Sequence, residues 1–415
     1  MSQSIELLIK NIGVLATPLG TSPKSGEGQG AVQKIENACV GIIGDRIACV
    51  GTAEEAKSWK LATGGEVFDA GGCLVTPGLV DSHTHLVFGG WRQYEMAQKL
   101  KGVSYLDILK SGGGILSTVN ATRSATFDEL YDKAAGILDQ KLQSGCTTVE
   151  IKSGYGLSLD HELKQLRVIE ALKNNHPCDI RATFMGAHAY PPEYKEDHEG
   201  YLKLLCEVMI PAVAEKGLAD YCDIFCEEGV FDIEESRRVL LCAKEHGLQL
   251  KLHGDEIEPM GGAQLAAELH TVSAEHLMAT TDEGIKAMAA SGTIAVLLPA
   301  TSFNLDKGYA PARKFVEAGV PVAIASDFNP GSCPCSELQL PMNLSCLKYK
   351  LTPEETLTAV TLNAAAAIGL AHEVGTVEAG KKADLVIWDA PDLNMIHYRF
   401  GSNQVGSVIK GGKII

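Results

Sequence analysis

The sequence predicts an α/β fold: a (β/α)8 TIM-type barrel at residues 76–375, with a small β-sandwich domain composed from both termini, 1–75 and 376–415. Three observations carry this. Eight short apolar or β-branched runs alternate with helix-compatible stretches through the middle of the chain. Both ends are β-rich. No Gly-x-Gly-x-x-Gly opens a helix after a strand, so a doubly wound nucleotide-binding sheet has no fingerprint. The 415 residues, 45% hydrophobic and 21% charged, have ordinary globular composition and exceed the ~250 residues of a minimal barrel.

At the N-terminal end, residues 6–9 and 38–43 are apolar runs suited to strands, separated by a turn-rich loop at 21–30. Gly44-Asp45 turns the chain into a further run at 47–50, a hairpin. At the other end, 383–388 and 405–410 are strand-like, and Gly411-Gly412 closes another hairpin. Between them, the eight runs end near His83, Ile151, Met185, Cys226, His253, Glu275, Leu298 and Ser326. The intervening helices are expected at 127–142, 158–172, 233–244 and 282–290, with Gly247 and Gly292 as C-terminal stops.

A net charge of −16 provides no basic stripe for a phosphate backbone, so nucleic acid is not expected as a partner. No apolar run approaches the ~20 residues that span a bilayer. The first residues lack the basic and apolar segments of a secretory signal, which suggests a cytoplasmic protein. Twelve cysteines are too sparse for a disulfide framework and read as reduced thiols.

Active sites of such barrels form at the C-terminal ends of the strands. Those ends carry His83 and His85, Lys152, His188, Glu227, His253, His276 and Asp327. The two imidazoles of His83-Thr84-His85 face one side of a strand, so both can reach one cation; alternatively they are partly buried polar residues near a turn. His253 is either a third ligand or a core histidine, and His276 is no more decisive alone. Asp327 ends an apolar strand, where a carboxylate is costly without a cation or donors, unless it serves as an N-cap. Their placement on one rim favours the metal reading.

Asp81-Ser82-His83-Thr84-His85, followed by His253, His276 and Ser326-Asp327, resembles the amidohydrolase superfamily of metal-dependent barrels. That superfamily pairs its barrel with a small β domain from both termini. A closer set runs from His85 through Arg92, Gly112-Gly113-Gly114-Ile115, residues 152–157, Gly186-Ala187-His188, His253-Gly254-Asp255-Glu256 and residues 326–331. It is similar to the superfamily members that open a ring amide during histidine degradation. The resemblance implies metal ligation by His83, His85, His253 and Asp327. It implies substrate contacts from Arg92, Tyr155, His188, Glu256, Asn329, Gly331 and Ser332, with Glu256, His276 and Asp327 moving protons. The ion expected is one divalent or trivalent transition metal, zinc or iron, since imidazole and carboxylate suit either. The fourth barrel strand ends in Cys226-Glu227 rather than the lysine of binuclear members, which favours a single ion.

The expected reaction is hydrolysis of the ring C–N bond of 4-imidazolone-5-propanoate to N-formimino-L-glutamate, by a homodimer. Deamination of an aminoheterocycle uses the same metal and His-x-x-Glu shuttle and is the competing reading. A catalytically silent assembly protein is a third, opposed by the full ligand set. Gly112-Gly113-Gly114 lacks the strand-to-helix setting of a phosphate loop and reads instead as a substrate-covering loop. Cys333-Pro334-Cys335 has no second close pair to complete a structural zinc site.

Overall fold

The computed structural model describes residues 4–103 and 113–415. The chain begins with β1 (Ile5–Thr17), β2 (Gln33–Ile43), β3 (Arg46–Thr52), β4 (Leu61–Asp69) and β5 (Leu74–Pro77). The barrel strands follow: β6 (Leu79–Asp81), β7 (Cys146–Lys152), β8 (Asp179–Ala187), β9 (Tyr221–Cys226), β10 (Gln249–Gly254), β11 (Ser273–His276), β12 (Ile294–Leu297) and β13 (Val322–Ile324). The chain closes with β14 (Leu385–Trp388), β15 (Val405–Lys410) and β16 (Lys413–Ile414).

β6 to β13 form one parallel sheet in chain order, as the alternating pattern predicts. Each of β6, β7, β11, β12 and β13 is buried along its whole length, as expected of a parallel sheet covered on both faces; β12 and β13 are wholly apolar, whereas β7 and β11 bury charged residues. Beyond β6 and β13, Thr84 bridges Phe328 in parallel. The His85 N–H donates to the Phe328 carbonyl at 2.9 Å, and the Asp327 N–H to the His83 carbonyl at 3.1 Å. These bonds seal the barrel at the segments that carry the expected ligands. Below them Asp81 accepts from the Ser326 N–H at 3.0 Å and from Lys141 Nζ at 2.6 Å, a buried seam between the first and last strands.

The expected helices form at Phe127–Gln143, Leu159–Asn175, Ile233–Glu245 and Asp282–Ser291. Thr126 with Glu129, and Asp232 with Glu235, make reciprocal capping boxes that satisfy first-turn N–H groups. Gly113 stands at the cap of a helix at Gly114–Ser124; Gly112 lies outside the described residues.

The terminal strands form the second sheet, in the order β16-β15-β14-β5-β1-β2-β3, with β4 on β1. It is mostly antiparallel, but β1 pairs in parallel with β4 and β5. β4 was not singled out in the sequence because none of its residues is fully buried. Lys382 and Lys410 both pair with Asp179 at the start of β8, at 2.5 and 2.6 Å, fastening this sheet to the barrel. Among the described residues no helix is long and apolar enough to cross a membrane, and the cysteines are free thiols.

Candidate active site

Four donor atoms from three corners of the barrel rim converge. His83 and His85 follow β6, His253 sits within β10, and Asp327 lies just beyond β13. His253 Nε2 lies 3.4 Å from His85 Nε2. Asp327 Oδ1 is 3.5 Å from His83 Nε2 and 3.8 Å from His85 Nε2. Two ligands bonded to one ion at 2.0–2.1 Å in tetrahedral geometry are ~3.3 Å apart, so these separations suit a shared cation. His83 Nε2 is buried without a hydrogen-bond partner, which leaves a donor needing a cation. His276 joins His83 and Asp327 in a second compact donor group.

The far sides of two imidazoles are held by carboxylates. Glu275 meets His83 Nδ1, and Asp223 Oδ1 lies 3.0 Å from His253 Nδ1. Such contacts set ring orientation and tautomer, leaving Nε2 directed at the other donor atoms. Although burial opposes it, the Glu275 charge raises the His83 pKa to about 9. Burial lowers His253 to about 4 and His85 well below the ordinary imidazole range. Asp327 is held down to about 2, because its contacts with His83 outweigh the cost of burial. Its other oxygen accepts from Thr301 Oγ1 at 2.6 Å. Asp327 and His276 both adopt positive φ, 53° and 72°, backbone strain of the kind that persists where surrounding structure imposes it.

Around this centre, His188 stacks on His85 at 4.8 Å between ring centroids, and Tyr155 lies 5.9 Å from the same ring. His188 Nδ1 is 3.1 Å from the Gly154 carbonyl. Gly154, at φ +111°, allows this close approach, since a Cβ there would come within 2.9 Å of His188 Nδ1. Glu162 accepts the N–H groups of Gly154, Gly156 and Leu157, fixing the loop that carries Tyr155. Glu256 Oε1 lies 3.6 Å from His276 Nδ1, and burial raises its carboxyl above the ordinary range. Glu227 accepts the N–H groups of Glu256, Ile257 and Glu258, so this rim carboxylate shapes the Glu256 loop.

Arg92 bonds Glu95 through Nε and Nη2, both at 2.9 Å, and Glu95 also accepts the Gly114 N–H at 2.7 Å. The Nε–Nη2 edge of the Arg92 guanidinium is therefore taken by Glu95. A Cβ on Gly331 would stand 2.2 Å from Arg92 Nη1, so any larger residue there would displace the guanidinium. The Asn329 side chain is used within its own turn. It accepts the Gly331 and Ser332 N–H groups at 2.8 and 2.7 Å and donates to the Asp327 carbonyl and Ser332 Oγ, both at 2.8 Å.

Lys152 lies beneath the ligand layer, bonded to Glu150 and Asp223. Asp223, Glu275, Glu150 and Lys251 were not among the sequence candidates. The signal was present: each is a charged residue inside an apolar parallel strand, a position tolerated only when paired. Cys333 packs with Ala300 and Leu344 in a small apolar cluster, and no donor group among the described residues includes a cysteine.

Residues 74–415 match the amidohydrolase family. The chain is 52% identical over 413 residues to an imidazolonepropionase of Alkaliphilus metalliredigens, covering 99% of this chain and 98% of that protein. The chain belongs to the amidohydrolase family, among its imidazolonepropionases. An imidazolonepropionase of Bacillus velezensis is 50% identical, with coverage of 100% and 98%. Among solved structures, a zinc-bound adenosine deaminase of Xanthomonas campestris superposes with a TM-score of 0.70 at 20% identity, covering 100% of this chain and 93% of that one. A zinc complex of atrazine chlorohydrolase from Arthrobacter aurescens gives 0.68 at 18%, with coverage of 98% and 94%. These distant likenesses establish the barrel with its terminal sheet as a shared fold.

Proposed function

We propose that this chain hydrolyses the ring C–N amide bond of 4-imidazolone-5-propanoate, giving N-formimino-L-glutamate in histidine degradation. The observation that carries the reading is the convergence of three imidazole Nε2 atoms and Asp327 Oδ1 at separations suited to one ion, in a chain about half identical to imidazolonepropionases along its length.

In this reading His83, His85, His253 and Asp327 hold a single zinc or iron ion. A divalent ion there supplies Lewis acidity and lowers the pKa of water to ~7. Asp327, ionised and anchored by Thr301, or His276 beside it, takes a proton as water attacks the ring carbonyl carbon. Glu256, with its carboxyl pKa raised by burial, passes a proton to the leaving ring nitrogen; its neighbour His276 is placed to exchange protons with it. Arg92, braced by Glu95, meets the propionate carboxylate with planar donors. Tyr155 and His188 flank the ring. Asn329 acts by shaping the turn that presents Gly331 and Ser332.

The same reading treats 1–75 with 376–415 as one composite unit and 76–375 as the barrel, and implies a cytoplasmic homodimer. Freshly prepared imidazolone propionate tests the activity. Its ultraviolet absorbance should fall on adding enzyme, and the product should gain one water and no free ammonia. Ammonia release from an aminoheterocycle, with no effect on the imidazolone, would favour the deaminase reading.

A further inference from the structure

Lys152 has no part in the proton transfers above, yet it is wholly buried and bonded on every side by acids. Its Nζ donates to Glu150 Oε1 at 2.7 Å and Asp223 Oδ2 at 2.8 Å, and lies 3.0 Å from Glu275 Oε2. Asp223 and Glu275 are the carboxylates that hold His253 and His83 by Nδ1. The ammonium therefore stands directly behind two of the imidazoles. Asp223, His253 and Glu275 also form a compact buried group with the donor types of a cation site, their ligand atoms within 4.8 Å of one another. Lys152 already occupies it with a positive charge tethered to the chain. Lys251 serves the other oxygen of Glu275, reaching Oε1 at 2.9 Å, and lies 3.7 Å from Glu150.

We infer that the Lys152 ammonium is the built-in counter-cation of this centre, filling the position that Asp223 and Glu275, with His253 bridging as an imidazolate once its Nδ1 proton has passed to solvent, would otherwise offer to a second divalent ion. The physical ground is that buried carboxylates this close require positive charge among them, and either an ammonium or a metal ion can supply it. A lysine does so without depending on metal supply, keeps both carboxylates on their imidazoles, and limits the centre to one ion. Lys152 is thus a positioning residue. The inference rests on the reading that His83, His85, His253 and Asp327 hold an ion, and the stoichiometry of the unmodified protein tests that reading separately.

The test is to strip the whole protein of metal, reload it with cobalt(II), and count bound equivalents by equilibrium dialysis while recording the visible spectrum. Unmodified protein should bind one equivalent. Lys152→Met should bind a second with a new absorption band. If Lys152→Met does not fold, Lys152→Met/Glu150→Gln lightens the uncompensated charge while keeping the Asp223, His253 and Glu275 donors, and should also bind two. Lys152→Met/Asp223→Asn should return to one. A folded Lys152→Met or Lys152→Met/Glu150→Gln protein that binds no more cobalt than the unmodified protein overturns the inference. Zero or two equivalents in the unmodified protein would instead overturn the reading beneath it.

Discussion

His253 Nε2 and His85 Nε2 face each other at 3.4 Å across the barrel mouth, although 168 residues separate them in the chain. Both imidazoles are held neutral at neutral pH, since burial lowers their pKa values. Neither has to lose a proton to bind a cation, whereas His83, raised to about 9 by the Glu275 charge, must give one up. His253→Ala should therefore abolish metal binding and activity together while leaving the fold intact. Metal analysis alongside circular dichroism checks this, and full activity without metal would refute it.

Glu256 is the residue for which proton transfer and ligation make different forecasts. Glu256→Gln should keep metal and substrate affinity while lowering kcat by ~10²–10⁴-fold. Burial stabilises the neutral carboxyl and raises its pKa. If its protonated form is the donor, kcat falls as pH rises through that raised value, and this limb should vanish in the Gln variant. A near-normal kcat would leave His276 and Asp327 as the proton carriers.

The contact between Arg92 and Gly331 yields a binding test. Gly331→Ala would place a Cβ 2.2 Å from Arg92 Nη1 and 2.8 Å from Cζ, forcing the guanidinium aside. Arg92→Lys keeps the charge but loses the planar donors and the pairing with Glu95. Both should raise KM more than they lower kcat. An unchanged KM in both variants, measured by steady-state kinetics, would remove Arg92 as the carboxylate anchor.

Lys141 carries a prediction about stability rather than chemistry. Its Nζ reaches Asp81 Oδ2 at 2.6 Å and the Ser336 carbonyl at 2.8 Å, where the first and last barrel strands meet. Lys141→Met would strand a buried carboxylate, a change that typically costs ~3–5 kcal/mol. Urea denaturation should show a midpoint well below that of the unmodified protein, and an unchanged midpoint would contradict the seam.

The outer course of the barrel was legible because short apolar or β-branched runs recur between helices that carry strong caps such as Thr126–Glu129 and Asp232–Glu235. The ligands were legible because each lies at or just beyond the C-terminal end of an apolar run. β4 escaped notice because it covers the edge of β1 without a buried face. The layer of Asp223, Glu275, Glu150 and Lys251 was also missed. These residues read singly as charges within strands, and only the closed barrel brings them onto Lys152. Asn329 was expected as a substrate contact from the resemblance alone; its hydrogen bonds within the turn could not be read from the sequence.

The measurement that bears most directly on the whole account is a metal titration of activity. Metal-free protein is given increasing equivalents of zinc or iron(II), and turnover of 4-imidazolone-5-propanoate is followed at each step. The account predicts no turnover without metal, a linear rise, and a sharp plateau at one equivalent per chain. A plateau at two equivalents, or full turnover in the metal-free protein, would contradict it.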